Sequence, residues 1–234
     1  MPLPLALSTL EQAAALGIRR AVFFGGEPLL YRGLEKLIRK ASDLGFLTEL
    51  DTNGALLTGP RVKKLKMSGL AAVMISLHGA VPGEHDRIAG PGMFKKAAGA
   101  IKLCSASGLL TYISTCVFDG RGQAPMVGRL IALSKRLGAH GIRLLPFAGR
   151  GDADPLSRRG VLALTRRPEA REFARTCLRS ATSCDASLGR LAYVSPSGEV
   201  TRCPYVKGHL GNLEKERLSV ILAKETNNGA GIFC

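Results

Sequence analysis

Tryptophan is absent from the 234 residues and aromatic side chains make up only 5% of them. Single-stranded nucleic acid is held on aromatic stacking platforms, so that function class starts without its usual support. Acidic residues are also scarce, 18 against 33 Lys and Arg, which leaves a formal charge of +15. Such an excess suits an anionic partner. Yet the basic residues are dispersed. Their densest run, Arg158, Arg159, Arg166, Arg167, Arg171, Arg175 and Arg179, has almost no interleaved aromatics and reads as a solvated face. No apolar run approaches the ~18 residues of a membrane span, so no membrane partner is expected. The apolar opening, Met1 to Leu7, carries two prolines and no basic segment, so it does not read as a signal peptide and a cytoplasmic location is the expectation. Six cysteines are too few for a disulfide scaffold at this length; in a cytosolic chain they are metal ligands, catalysts or core filler. There is no phosphate loop of the Gly-x4-Gly-Lys-Ser/Thr type, and Ala148-Gly-Arg-Gly151 lacks the spacing of a dinucleotide fingerprint.

What is present is an alternation of helical and strand patterns. Ser8-Thr9-Leu10-Glu11 has the form of a capping box and predicts a helix from residue 8 to about Gly17. Strand-like runs lie at 18–24, 46–51, 70–76, 109–117 and 141–146. Helical patterns centre on Leu34, Leu37, Ile38 and Ala41, and on 61–68, 93–107 and 125–138. Gly69, Gly108 and Gly138 fall where those helices should stop. Strands separated by whole helices run parallel, so an α/β domain with right-handed crossovers is expected. Each strand ends in a polar, glycine-bearing turn: Gly25-Gly26-Glu27, Asp51-Thr52-Asn53-Gly54, Ser76-Leu77-His78-Gly79, Asp119-Gly120 and Gly149-Arg150-Gly151. All five belong on one rim, the side where such sheets bind ligands. The alternation opens on a helix, because residues 1–7 are too short and proline-broken for a central strand. An opening strand and its loop are therefore expected to be missing.

Residues 148–167 lose the periodicity and read as a linker or substrate-side loop. Pro168 then opens an expected helix whose Ala170, Phe173, Ala174, Cys177 and Leu178 share a face. After Cys184 comes a hairpin signature: Leu191–Val194, a Ser-Pro-Ser-Gly turn, and Glu199–Arg202 leading into Cys203.

Gly25-Gly26-Glu27-Pro28 brings bare backbone and one carboxylate to a strand-to-helix turn, where Glu27 offers a partner to an ammonium. By itself it is equally a tight turn. Together with Asp51-Thr52-Asn53-Gly54, Ile75-Ser76-Leu77-His78-Gly79, His85-Asp86-Arg87 and Gly92-Met93-Phe94, in that order on successive strands, it resembles the radical S-adenosylmethionine (SAM) superfamily. The branch it looks closest to modifies peptides or matures cofactors. The resemblance implies an incomplete (β/α)6 partial TIM-type barrel of parallel strands, plus a small C-terminal auxiliary domain containing a β-hairpin. It implies that Gly25, Gly26 and Glu27 hold the methionyl amino group, that Thr52 and Ser76 reach the ribose, and that backbone near Leu144–Pro146 borders the adenine. The core then spans 1–150, with linker and helix at 151–180 and the auxiliary domain at 181–234.

Cys184, followed after 13 residues by Gly198 and after four more by Cys203, resembles the hallmark of the auxiliary-cluster domains called SPASM and twitch. The resemblance implies Cys184, Cys203 and, at the chain's last position, Cys234 as cluster ligands. Cys104 and Cys116 fall on an apolar helix face and in a strand, and read as filler. In the superfamily a Cys-x3-Cys-x2-Cys loop binds the [4Fe–4S] cluster that reduces SAM, and no such triplet occurs here. Truncation at the N-terminus is the expectation, with no catalytic residue assigned and no SAM cleavage by the chain as it stands. The full-length form is expected to act as an oxidoreductase or maturase on a peptide or cofactor precursor, reduced by a flavodoxin or ferredoxin. Two other classes stay open: a non-catalytic module that binds a SAM-like ligand, and a basic protein that binds an anionic partner such as nucleic acid.

Overall fold

The computed structural model describes residues 1–117, 123–146, 164–168, 170, 172–176, 190–204 and 208–224. The chain divides into two compact units. One comprises Arg20–Ser42 and Leu47–Cys177; the other comprises Met1–Arg19, Asp43–Phe46 and Leu178–Cys234.

The larger unit is built on six parallel strands in sequential order: β1 (Arg20–Phe23), β2 (Leu47–Thr52), β3 (Ala72–Ser76), β4 (Leu110–Val117), β5 (Gly141–Pro146) and β6 (Ala174–Thr176). Between them run α2 (Leu34–Asp43), α3 (Gly59–Met67), α4 (Pro82–Ala89), α5 (Met93–Ala106) and α6 (Gln123–Arg136). α1 belongs to the smaller unit. This is the parallel α/β fold expected from the alternation, in the partial-barrel form that the resemblance implies.

Side chains alternate between the two faces of each strand, and the two faces differ in chemistry. Leu50, Val73, Ile75, Ile113, Ile142 and Leu144 share the helix-covered face, and each is at most 2% exposed. From the helices, Leu34, Leu37, Ile38 and Ala41 of α2 and Ala97, Ala100, Ile101 and Cys104 of α5 are buried, which accounts for their helical spacing in the sequence. Burial pushes the Cys104 thiol up to about 12, as befits inert filler. The opposite face is polar: Glu49, Asp51, Ser76, Tyr112, Ser114 and Arg143 stand on it in register. A flat sheet would hold β2 and β5 roughly 14 Å apart, three strand spacings. Arg143 Nη2 nonetheless donates to Asp51 Oδ2 at 2.9 Å, so the sheet curls around this face as a partial barrel does.

Helix ends follow the glycines, with Gly69, Gly108 and Gly138 at φ +94°, +77° and +83°. The segment after Pro168 departs from expectation. Ala174 N donates to Ala170 O at 2.7 Å, which closes one helical turn, and the chain then extends as β6 against the edge of β5. The four-residue spacing of Ala170 and Ala174 is satisfied by that single turn, and Ile142 N, donating to Phe173 O at 2.9 Å, draws residues 174–176 into the sheet.

In the smaller unit, α1 (Leu3–Ala15) starts five residues before the expected capping box. Pro4 sits in the first helical turn, where its missing N–H costs nothing. Ser8 is therefore interior, and its Oγ accepts from Gln12 Nε2 at 3.2 Å rather than capping an end. The expected hairpin forms from β7 (Tyr193–Val194) and β8 (Glu199–Thr201), antiparallel, with Gly198 N donating to Ser195 O at 3.0 Å across the turn. A third strand, β9 (Gly211–Asn212), pairs with β8, and α7 (Leu218–Ala223) comes after it. Gln12 Oε1 of α1 accepts from Leu218 N at 2.7 Å, at the first residue of α7.

Candidate functional site

The rim at the carboxyl ends of β1 and β2 is organised around Glu27. Its backbone is extended and caps a short 3-10 turn, Pro28–Leu30, whose Leu29 N donates to Oε1 at 3.1 Å. Thr52 Oγ1, at the last residue of β2, donates to the same oxygen at 2.7 Å, and Asn53 N donates to Oε2 at 3.0 Å. A carboxylate has about four acceptor positions. Three are filled by the described residues, among which no fourth donor reaches Glu27, so Oε2 keeps one for an incoming donor. Beside it the backbone of Gly25 and Gly26 is exposed, and a Cβ built on either meets nothing within 4 Å. The pair leaves a side-chain-free approach to the one open position of Glu27.

Thr52 is brought directly to Glu27, but as a brace. It is 5% exposed, and its hydroxyl also accepts from Gly54 N at 3.1 Å. Asn53 Oδ1 accepts from Ala55 N at 2.8 Å, which tightens the same turn. Gly54 has φ +80°, and a Cβ there would lie 3.1 Å from both Ala100 Cβ and Ile75 Cγ2. Only glycine fits where the turn rests on α5 and β3.

Ser76 ends β3 on the polar face. In the β2–β3 register Thr52 pairs with Ile75, so Thr52 shares the helix-covered side and Ser76 points the other way. The two hydroxyls, expected to serve one ribose, stand on opposite faces of neighbouring strand ends. Ser76 lies beside Ser114 of β4, which lies beside Arg143 of β5.

The turn after β3 is held by its own polar groups. His78 N donates to His85 Nδ1 at 2.9 Å, and the two rings stack with centroids 5.6 Å apart. His78 Nδ1 accepts from Cys116 N at 3.4 Å, which leaves the proton of a neutral ring on Nε2. Burial, and then the neighbouring His85, lower the His78 pKa to about 4. Burial likewise lowers that of His85. Glu84 accepts from Ala80 N at 2.8 Å and pairs with Arg129; Asp86 accepts from Gly92 N at 2.9 Å and Phe94 N at 2.7 Å at the start of α5. These contacts fasten the loop that follows β3.

Of the three expected cluster cysteines, Cys203 is half-buried just after β8, and its carbonyl accepts from Thr201 Oγ1 at 3.2 Å. Cys184 and Cys234 lie outside the described residues. Among the described residues no three His, Cys, Asp or Glu side chains converge as a metal site. Cys116 is half-buried on the polar face of β4, its thiol pushed up by burial.

The family model described as Radical SAM superfamily matches residues 1–127, more than half of the chain. The chain belongs to the radical SAM superfamily. Among curated relatives, this radical SAM chain is 32% identical over 215 residues to the PqqA peptide cyclase of Rhizobium meliloti (strain 1021), covering 82% of this chain and 56% of that protein. It is 31% identical over 147 residues to the AdoMet-dependent heme synthase of Methanosarcina barkeri (strain Fusaro / DSM 804), covering 61% of this chain and 41% of that one. The chain thus spans about half the length of these relatives. In fold it is similar to Streptococcus suis SuiB, with a TM-score of 0.74 at 16% identity, covering 98% of this chain and 60% of SuiB. SuiB has also been solved bound to S-adenosylmethionine and, separately, to the precursor peptide SuiA.

Radical SAM proteins use SAM and a [4Fe–4S] cluster. The residues present fit SAM, since the open acceptor position of Glu27 beside bare Gly25–Gly26 backbone matches an α-ammonium next to a carboxylate. They do not fit the cluster that ligates SAM: the 234 residues contain no Cys-x3-Cys-x2-Cys run, so no step through that cluster is derived for this chain.

Reading the sequence missed Glu49 and Arg143, and placed Asp51 only in a turn. The signal was there. Strands buried in parallel sheets are near-continuously apolar, so charged residues at alternate positions of 47–52 and within Gly141-Ile-Arg143-Leu mark a polar lumen.

Proposed function

We propose that this chain carries the SAM-binding portion of a radical SAM oxidoreductase that modifies a peptide or a cofactor precursor in the cytoplasm, drawing electrons from a flavodoxin or ferredoxin. SAM would be held by Gly25, Gly26 and Glu27, and its hydrogen-abstraction chemistry would require cluster ligands that these 234 residues do not contain. This chain's own residues do the holding. Glu27 Oε2 accepts a hydrogen bond from the methionyl ammonium, and the free backbone of Gly25 and Gly26 lets the amino-acid end approach. Thr52 and Asn53 N fix the carboxylate in advance, which lowers the ordering cost of binding. Ser76 offers its hydroxyl to the nucleoside end. Residues 1–150 form the core, 151–180 the linker and 181–234 an auxiliary domain of the SPASM or twitch kind, with Cys184, Cys203 and Cys234 as ligands of its cluster. The peptide cyclase and heme synthase relatives support this choice of substrate class.

The observation that carries the reading is the single unfilled acceptor position of Glu27. Calorimetric titration with SAM tests it. A hydrogen bond to a charged group contributes ~1.5–3 kcal/mol, so Glu27→Gln should weaken SAM binding by roughly 10- to 150-fold. Equal affinity of variant and wild type would remove Glu27 from the site. Iron bound after anaerobic reconstitution should disappear in Cys203→Ala; iron that survives the change rejects the auxiliary-cluster assignment.

A second reading is favoured by the missing cysteine triplet: a module that binds SAM or a similar ligand without catalysis. Reductive cleavage of SAM by the chain alone would reject it.

A further inference from the structure

The polar face of the sheet carries charges that SAM binding does not use. Glu49 and Asp51 are alternate residues of β2, so both carboxyls enter the lumen from one strand. Glu49 is 4% exposed. Arg20 of β1 pairs with Glu49 Oε2, and Arg143 of β5 pairs with Asp51 Oδ2 at 2.9 Å. The remaining oxygens, Glu49 Oε1 and Asp51 Oδ1, are sealed from water, and no donor reaches either. Arg143 Nε is likewise buried without an acceptor.

Two ionised carboxylates cannot comfortably sit side by side in this way, because each holds an unsatisfied lone pair in a dry setting and each repels the other. A proton between the two carboxyls relieves both the repulsion and the unsatisfied lone pairs. The other elements facing the pair add no further charge among the described residues. In register, β1 contributes Val22 beside Glu49, β3 contributes Ala72 and Met74, and β4 contributes Tyr112 beside Met74. The charged groups are thus two guanidiniums against two carboxyls.

We propose that Asp51 holds a proton directed at Glu49, and that the lumen floor, left with one unbalanced guanidinium, is a subsite for a carboxylate group of the substrate of the proposed enzyme, contacted by Arg143. With one proton held, the four side chains sum to a single positive charge; with none, they sum to zero. Arg143 is the group positioned to meet a ligand, because its partner Asp51 holds the proton, whereas Arg20, though its side chain is 55% exposed, keeps Glu49 as its partner. Burial raises Asp51 to about 6 despite the pull of Arg143, and the charge of Glu49 adds to the rise. Carboxylate and proton then bind cooperatively, each favouring the other. The subsite stands on the polar face whatever binds at the Glu27 rim, so its failure and the failure of SAM binding are separately visible.

The test uses the full chain and propionate as probe. The Arg143 Nε resonance and the side-chain carboxyl carbons of Glu49 and Asp51 are followed by NMR as propionate is added at about pH 5 and at about pH 8, either side of the ordinary histidine range. Saturable shifts are expected at the lower pH, with affinity at least fivefold weaker at the higher. The Asp51 carboxyl carbon should titrate near pH 6. Asp51→Asn keeps the side chain's shape and fixes the neutral state, so it should bind propionate equally at both pH values. Propionate affinity that ignores pH in the wild type, or Asp51 titrating alone in the ordinary carboxylate range, overturns the proposal. Both are wild-type measurements and stand even where the variant does not fold.

Discussion

Replacing Thr52 by Val separates a brace from a ligand contact. Valine keeps the shape of the buried side chain but removes a hydroxyl that donates to Glu27 Oε1 at 2.7 Å and accepts from Gly54 N at 3.1 Å. The first loss is of a bond to a charged acceptor, ~1.5–3 kcal/mol, and the second leaves a buried N–H without a partner, ~1–3 kcal/mol. Relaxation at the rim recovers part of both, so a net loss of about 2–3 kcal/mol of stability is expected. For a chain of this size that lowers the melting temperature by roughly 4–12 °C. The effect on SAM binding should be smaller than that of Glu27→Gln. The carboxylate stays, held by Leu29 N and Asn53 N, and only its orientation loosens, at about 1 kcal/mol or roughly fivefold in Kd. Thermal melts followed by calorimetric titration below the lower melting point read both quantities. A Thr52→Val protein that binds SAM as weakly as Glu27→Gln would refute the reasoning, because it would place the hydroxyl on the ligand itself. Unchanged stability would refute it from the other side.

Ile75→Ala should cost ~3 kcal/mol in denaturant unfolding, since a fully buried side chain leaves a cavity between β3 and its covering helices. Gly54→Ala should cost ~2 kcal/mol from its left-handed backbone alone, with added strain against Ile75 and Ala100, and should also weaken SAM binding through the Thr52 turn. His78 should titrate near pH 4 by NMR. Its folded pKa lies below the unfolded value, so the unfolded chain takes up protons first, and this contribution to stability is lost as the pH falls from about 6.5 toward 4. Asp51 works in the opposite sense. Its folded pKa of about 6 lies above the unfolded one, so its contribution is present at low pH and is lost as the pH rises through 6. The two contributions overlap and oppose each other between pH 4 and pH 6, so removing that of His78 by His78→Asn should shift the slope of stability against pH toward a decline across that window, relative to the wild type.

Much of the larger unit was legible because burial imposes period. The helical spacing of Leu34, Leu37, Ile38 and Ala41 and the strand runs ending at Thr52, Ser76 and Val117 each report a single covered face. The helix start was misjudged, since Ser8-Thr-Leu-Glu11 carries the letters of a cap while Pro4, four residues earlier, fits a first turn just as well. The strand at Ala174–Thr176 was hidden because three residues at an edge carry no period of their own; only the neighbouring β5 makes them extended. At the rim, Glu27 and Thr52 were legible as residues but not as partners. Which face a strand-end hydroxyl takes depends on register, and the register of Thr52 with Ile75 is a property of two strands.

A closed barrel keeps its bore by an unbroken hoop of amide bonds. Among the described residues the sheet is open between β1 and β6, and one guanidinium and one carboxylate form a tie from β2 to β5. The same span is held along its length by the β2–β3, β3–β4 and β4–β5 ladders, so the ion pair acts as a chord that sets how tightly the arc of strands bends.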